Sequence, residues 1–373
     1  MITATSSITI DPVTLRDRLE QGEPTTILDV RPAAERAEWF IPGSQPVDAF
    51  VDLQVGDAPA LAAWSAPPGH MVVTVCGAGK TSLHAALQLR SRGIDALSLE
   101  GGMAAWTLAW NTADVPCPAA SGQIVQVRRT GKGCLSYLVG SDGEAAVVDP
   151  SLEPDVYERL ASARGWSIRH VLDTHIHADH LSRGRLLADR QRATLHVPEQ
   201  QRVSFPYAPV RDGDRIRVGA SVIEALRVPG HTPESTSYLL DRSALMTGDT
   251  LFLQSVGRPD LHGHSDEIAD HARALYRSLR RLQTLPESTV VLPGHSDQPL
   301  RFDGKAFAAR LGVVREQVAW LQLSEDAFVE AIRDRIPPTP ANHRLIVRLN
   351  EQGLIPGGEA RALESGANRC ALR

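Results

Sequence analysis

Residues 174–180 read Thr-His-Ile-His-Ala-Asp-His, which sets histidines 175, 177 and 180 beside Asp179. Further along stand His231 in Val-Pro-Gly-His-Thr-Pro, Asp249 in Thr-Gly-Asp-Thr-Leu-Phe and His295 in Leu-Pro-Gly-His-Ser, each just after a short apolar run. Such runs read as strands, so four strand ends are expected to converge on one point. In an extended segment alternate side chains share a face, so His175 and His177 can act together, while Asp179 and His180 reach in from the turn that follows. Neutral imidazoles and carboxylates are the donors that zinc and ferrous iron take. The chemistry expected is that of a metal centre.

A second reactive candidate lies upstream. The run Met-Val-Val-Thr-Val ends in Cys76-Gly77-Ala78-Gly79-Lys80-Thr81-Ser82, after which Leu83, Ala86, Leu87 and Leu89 give a helical stripe. A cysteine at a strand end, in a Gly-rich loop that opens a helix, receives backbone N–H groups and the positive end of the helix. With Lys80 in the same loop, the thiol can carry a sulfur anion. Gly79-Lys80-Thr81 looks like the tail of a phosphate-binding loop, but that motif needs glycine at position 74, where threonine stands. Cys117, Cys134 and Cys370 show neither metal-ligand nor disulfide spacing. Cys134 is expected to be a small buried hydrophobe, and Cys117 and Cys370 carry no readable signal.

The elements that must position these groups divide the chain of 373 residues, which exceeds the usual single-domain size. Over residues 1–116, apolar strands at Thr26 to Val30, Met71 to Cys76 and Ala96 to Glu100 alternate with helical segments, the pattern of a parallel-sheet α/β domain with flanking helices. The aperiodic stretch around 117–122, with Pro116 and Pro118, reads as the linker. In 123–305, strands at about 123–127, 134–139 and 145–148, a Ser-Asp-Gly turn and a helix near 154–164 begin an alternation of hairpins and helices, suggesting two sheets with helices outside. Residues 306–373 form a mostly helical extension interrupted by Pro337, Pro338 and Pro340, with a weakly structured end. The net charge of −5 is spread among interspersed acids and bases, leaving no footprint for nucleic acid or anionic lipid. Residues Met1 to Asp11 show no signal-peptide pattern, and no apolar run approaches the roughly 20 residues that spanning needs. Cytoplasmic residence and small-molecule partners are expected, and a homodimer is left open.

Specific motifs take the reading further. Leu28-Asp29-Val30-Arg31-Pro32, continuing through Glu35 to Ile41-Pro42-Gly43-Ser44, together with Leu99-Glu100-Gly101-Gly102-Met103-Ala104-Ala105-Trp106, resembles the start and end signatures of the rhodanese family of sulfurtransferases. Cys76 falls where that family keeps its catalytic cysteine, and Lys80 stands where arginine is frequent, a point charge in place of a planar fork. The order His-X-His-X-Asp-His, then His, Asp and His, is similar to the metallo-β-lactamase superfamily, which implies an αββα sandwich over about 122–300. Ser255-Val256-Gly257-Arg258-Pro259-Asp260 resembles the Gly-Arg-Thr-Asp element of the persulfide dioxygenases, and the segment from Pro337 to Asn342 is similar to their C-terminal region.

That last resemblance implies one Fe(II) per chain on His175, His231 and Asp249, with His177, Asp179, His180 and His295 orienting the ligands. It implies oxidation of glutathione persulfide by O₂ to sulfite, while Cys76 exchanges sulfane sulfur with glutathione, sulfite or thiosulfate. Arg258, beside Asp260, either takes a substrate carboxylate or braces its loop with a salt bridge. Two alternatives stand. One is a dizinc thioester hydrolase of glyoxalase II type, with His175, His177 and His231 on one zinc, Asp179, His180 and His295 on the second, and Asp249 bridging. The other is a non-catalytic persulfide carrier or sensor.

Overall fold

The computed structural model describes residues 7–117, 121–261, 267–336, 338–339, 342–358, 360–366 and 368–372. In the first domain the expected apolar runs are strands. Met71–Val75 is the centre of a five-stranded sheet, with Thr25–Asp29 and then Gln45–Pro46 on one side, Ala96–Leu99 and then Thr9–Ile10 on the other. All these pairings are parallel, which buries both faces under helices. Helix Lys80–Ser91 packs Ala85, Ala86 and Leu89 on one face with Leu28 and Val72, while Leu15 and Trp106 cover Ile27, Val73 and Val75 on the other.

The second domain is the expected sandwich. Seven strands lie in the order Ala208–Val210, Thr194–Pro198, Ser167–Leu172, Glu144–Val148, Cys134–Ser141, Gln123–Arg129, Asn111–Val115. Six face them, in the order Arg215–Val218, Ser221–Arg227, Thr236–Leu240, Ala244–Gly248, Val290–Pro293, Ala309–Arg310. Tyr137, Val148 and Leu172 of one sheet pack against Ile223, Tyr238, Met246 and Leu292 of the other. A one-residue slip would turn these side chains outward, so burial fixes the register that aims the strand ends. Helices Pro154–Ser162 and Gly184–Gln191 cover the first sheet; Ile268–Leu282, Leu311–Gln317 and Glu325–Asp334 cover the second. The Ser-Asp-Gly turn has Asp142 at φ 47° and Gly143 at φ 79°, the positive pair that a tight hairpin requires.

Two expectations change. Asn111–Val115 pairs antiparallel with Gln123–Arg129, so these residues, assigned with 1–116 to the first unit and not read as a strand, form an edge strand of the second. Its burial alternates with Asn111, Ala113 and Val115 inward, a short pattern that the flanking prolines hide in the sequence. The linker residues Pro118, Ala119 and Ala120, and Pro337 and Pro340 of the extension, lie outside the described residues.

The chain end is the second change, because it is not weakly structured. Glu364, Cys370 and Leu372 are fully buried, and the Leu372 amide donates to the Val256 carbonyl at 3.0 Å. This segment is polar in sequence because its partners are polar groups of distant elements. Glu364 pairs with Arg129 at 2.9 Å and with Arg183. The two domains are joined by Trp39, whose Nε1 donates to the Thr130 carbonyl at 3.0 Å, and by the Arg369–Glu38 pair at 3.1 Å.

Candidate functional site

Cys76 ends the central strand of the first sheet and is only 3% exposed. The Gly79 amide points at its Sγ from 3.2 Å and the Ser82 hydroxyl from 3.3 Å. Gly79 sits at φ 84° just before helix Lys80–Ser91, which lets the loop curl around the sulfur. The loop rests on Gly102, where a Cβ would collide with the Cys76 carbonyl and the amides of Ala78 and Gly79. Gly77, Ala78 and Thr81 are part of this curl, and Lys80 opens the helix with its side chain exposed. Such a ring of donors around a strand-end sulfur can hold a persulfide anion. Ser82, a donor to this sulfur, carries no motif that would single it out in the sequence. Asp29 and Arg31 of the opening signature are buried partners, at 2.7 and 2.9 Å, and stay structural.

The metal-type residues also come together as the sequence implied. His175, His177, Asp179 and His180 follow strand Ser167–Leu172, His231 follows Ser221–Arg227, Asp249 follows Ala244–Gly248 and His295 follows Val290–Pro293. All are buried. They do not form one equivalent set. His175, His231 and Asp249 offer three donor atoms within 4.8 Å of one another. His175 Nε2, His231 Nε2 and Asp249 Oδ2 are buried without any hydrogen-bond partner. Leaving three convergent polar atoms unsatisfied in a core is costly, so this triad fits a bound cation.

The remaining nitrogens explain why these atoms face inward. His231 Nδ1 donates to the Arg258 carbonyl at 2.8 Å, which leaves the lone pair on Nε2. Thr174 Oγ1 gives its proton to Asp149 Oδ2 at 2.9 Å and faces His175 Nδ1 at 2.9 Å, which fixes the same tautomer there. Burial, with His177 beside it, holds His175 well below the usual histidine range and keeps it neutral. Burial opposes ionisation of Asp249, but His295, facing its Oδ1 at 2.7 Å, outweighs this and keeps the carboxylate charged. Thr174, Asp149 and the Arg258 carbonyl escaped the sequence reading, because a supporting contact has no motif.

The other implied groups behave differently. His177 turns its Nε2 to Asp149 Oδ1 at 3.2 Å and leaves Nδ1 unpartnered. His180 faces Asp179 through Nδ1 at 3.0 Å and leaves Nε2 unpartnered. His295 lies between Asp249 Oδ1 at 2.7 Å and Asp179 Oδ2 at 3.0 Å. Burial would lower it, yet these two carboxylates hold it well above the usual histidine range. Cys134, expected as a plain hydrophobe, is buried but directs its thiol to Asp179 Oδ2 at 3.4 Å. Cys370, silent in the sequence, belongs to a group with Asp249 and His295.

Arg258 takes the bracing role of the two left open. It is fully buried, grips Asp260 through Nε and NH2 at 2.8 and 2.7 Å, and donates to the carbonyls of Pro338 and Arg369. A substrate carboxylate would have to break that fork. Next to His295 lies a cavity of about 450 Å³, walled by Phe252, Leu253 and Trp320, and by Glu38 from the first domain. A second cavity of about 410 Å³ beside Gly77 is lined by Trp39, Ser365, Gly366 and the same Glu38. Glu38 thus lines part of both cavities. Among the described residues, no helix is long and apolar enough to cross a membrane.

Comparison with known proteins agrees with this division. Residues 129–295 match the Metallo-beta-lactamase superfamily and residues 11–109 the Rhodanese-like domain. The hydroxyacylglutathione hydrolase of Methylobacillus flagellatus is 32% identical over 246 residues, covering 64% of this chain and 92% of that protein. The mitochondrial persulfide dioxygenase ETHE1 of Mus musculus is 30% identical over 185 residues, covering 48% of this chain and 70% of that protein. The crystal structure of ETHE1 from Myxococcus xanthus matches with a TM-score of 0.52 at 29% identity, over 65% of this chain and 98% of that one. One relative is named as a hydrolase and another as a dioxygenase, so likeness alone leaves the reaction open.

Proposed function

Because the chain belongs to the metallo-β-lactamase superfamily and carries a rhodanese-like domain ahead of it, we propose that it is a persulfide dioxygenase fused to a sulfurtransferase. In this reading glutathione persulfide, or a similar small persulfide, is oxidised at the metal centre, and sulfane sulfur moves through Cys76. The observation that carries it is the triad of buried, unpartnered atoms on His175, His231 and Asp249, from which His177 is turned toward Asp149. Two histidines and one carboxylate with open positions are the donor set of non-haem ferrous oxygenases. These three residues would hold one Fe(II), which supplies the O₂ activation that no side chain can. Kinship with ETHE1 supports the same reading.

The chain's own residues supply the rest. Thr174 and the Arg258 carbonyl fix the imidazole tautomers before substrate arrives, so no reorganisation is needed at that moment. Phe252, Leu253 and Trp320 give the cavity beside His295 an apolar wall, while Arg369, Asn368 and Gln254 offer it polar groups. The overall change uses O₂ and water to convert the outer sulfur to sulfite, and the carrier thiol leaves as glutathione. At the other site, sulfite attacks the outer sulfur of a Cys76 persulfide. The new S–S bond makes thiosulfate, and the old one breaks to leave a Cys76 thiolate held by Gly79 N–H and Ser82 Oγ. Because the two domains share one chain, an intermediate made at one site is offered to the other at a raised effective concentration.

A dizinc thioester hydrolase is the second reading, favoured by the hydrolase relative and by the unpartnered His177 Nδ1 and His180 Nε2. Oxygen uptake with glutathione persulfide after anaerobic iron loading, scored with metal analysis, separates the two. Uptake with about one iron per chain is expected. Two zinc ions, thioester hydrolysis and no uptake would overturn the dioxygenase reading.

A further inference from the structure

Asp179 is the carboxylate that a second metal ion would need, and both of its oxygens are engaged. Oδ1 faces His180 Nδ1 at 3.0 Å. Oδ2 faces His295 Nε2 at 3.0 Å, the Cys134 thiol at 3.4 Å and Asn368 Nδ2 at 3.0 Å. The Asn368 amide has one orientation here, because its Oδ1 accepts the Cys370 amide at 2.7 Å, which turns the NH₂ toward Asp179. An amide N–H only donates. It uses a carboxylate lone pair and offers no donor atom to a cation.

The backbone that carries Asn368 is held on both sides. Upstream, Glu364 is locked between Arg129 and Arg183, and its carbonyl accepts Lys132 Nζ at 2.9 Å. Downstream, the Cys370 carbonyl accepts the Arg258 amide at 3.0 Å, and Ala371 bridges Gly257. The two positions differ at the carboxylate: Asp249 Oδ2 has no donor aimed at it, whereas both oxygens of Asp179 do. His180 Nε2 and His177 Nδ1 are as unpartnered as His175 Nε2 and His231 Nε2. The ligand motif alone serves one metal or two. A donor delivered from a segment far outside that motif distinguishes the positions.

We propose that Asn368 sets the metal count: by donating to Asp179 it withdraws the second position and leaves the centre mononuclear. It is a positioning residue, acting through Asp179, and the inference rests on the reading of a single-metal oxygenase. Full-length wild type, Asn368→Ala and Asn368→Asp are loaded with cobalt(II) or zinc, and bound metal per chain is measured. Cobalt spectra and magnetic coupling report whether two ions are adjacent. Sulfane-sulfur transfer by Cys76 shows that each variant has folded.

Wild type should hold about one ion and the folded variants about two at the same free-metal concentration. In Asn368→Asp the two ions should be coupled. Folded variants that stay at one ion, or a wild type that holds two tightly, overturn the proposal. Oxygen uptake by wild type is scored separately. Its absence sinks the dioxygenase reading, whereas uptake with unchanged counts in the variants sinks only the role of Asn368.

Discussion

Glu364 is the residue through which the C-terminal segment is anchored, and replacing it with glutamine removes the charge while keeping the shape. Its carboxylate is fully buried between Arg129 at 2.9 Å and Arg183, and accepts the Leu181 amide at 2.6 Å. Burial alone would raise Glu364, but Arg129 and Arg183 outweigh it and hold the group at about 2, against an ordinary 4.5. That difference corresponds to roughly 3 kcal/mol of stability. Glu364→Gln also leaves the buried Arg129 with carbonyl acceptors alone and Arg183 with only Glu153, at 3.4 Å, as its acid, and removing one partner of a buried pair typically costs about 3–5 kcal/mol. At about 2–4 °C per kcal/mol for a domain of this size, the melt of the metal domain should fall by roughly 6–20 °C. Scanning calorimetry at pH 7 reads it, because it resolves the domains separately. The pH dependence gives a second reading. A carboxyl depressed in the folded state contributes fully above its unfolded value near 4.5 and loses that contribution as pH falls toward 2. The gap between wild type and variant should therefore narrow below about pH 4.5. A Glu364→Gln protein that melts within about 2 °C of wild type at pH 7, or a gap unchanged by acid, would refute the reasoning.

Three other outcomes are expected. Cys76→Ser should lose sulfane-sulfur transfer while oxygen uptake with glutathione persulfide persists; a variant that still makes thiosulfate from sulfite denies Cys76 its role. Ser82→Ala removes the hydroxyl donor at 3.3 Å and should slow transfer about tenfold, as expected for a hydrogen bond of about 1.5 kcal/mol to charged sulfur, measured by steady-state assay. An unaltered rate would show that the Gly79 amide suffices. Arg258→Lys breaks the fork on Asp260 and loosens the carbonyl that orients His231, so chelator competition should show metal affinity reduced roughly 10- to 100-fold, and unchanged affinity would separate the loop from the ligand.

Much of the fold and of the site is legible in the amino-acid sequence. Strand ends can be placed because apolar runs stop at Val75, Leu172, Gly248 and Pro293, within a few residues of each reactive group. Periodicity also separates the parallel α/β domain from the sandwich. It errs at Asn111–Val115, where a five-residue edge strand near prolines carries too little pattern to outweigh the linker signal.

Side-chain type and spacing along a strand are local properties, so the chain already names the atoms that can do chemistry. How those atoms are shared out is settled by long-range packing. It left His175, His231 and Asp249 unpartnered, turned His177 to Asp149 and tied Asp179 to Cys134 and Asn368. It also committed Arg258 to Asp260 and to the carbonyls of Pro338 and Arg369, and brought Glu38 to both cavities. Apart from the Arg258–Asp260 fork, these outcomes join residues far apart in the chain. Such contacts are selected by burial and by the need to satisfy every enclosed polar group, and neither is written in the local pattern of the chain.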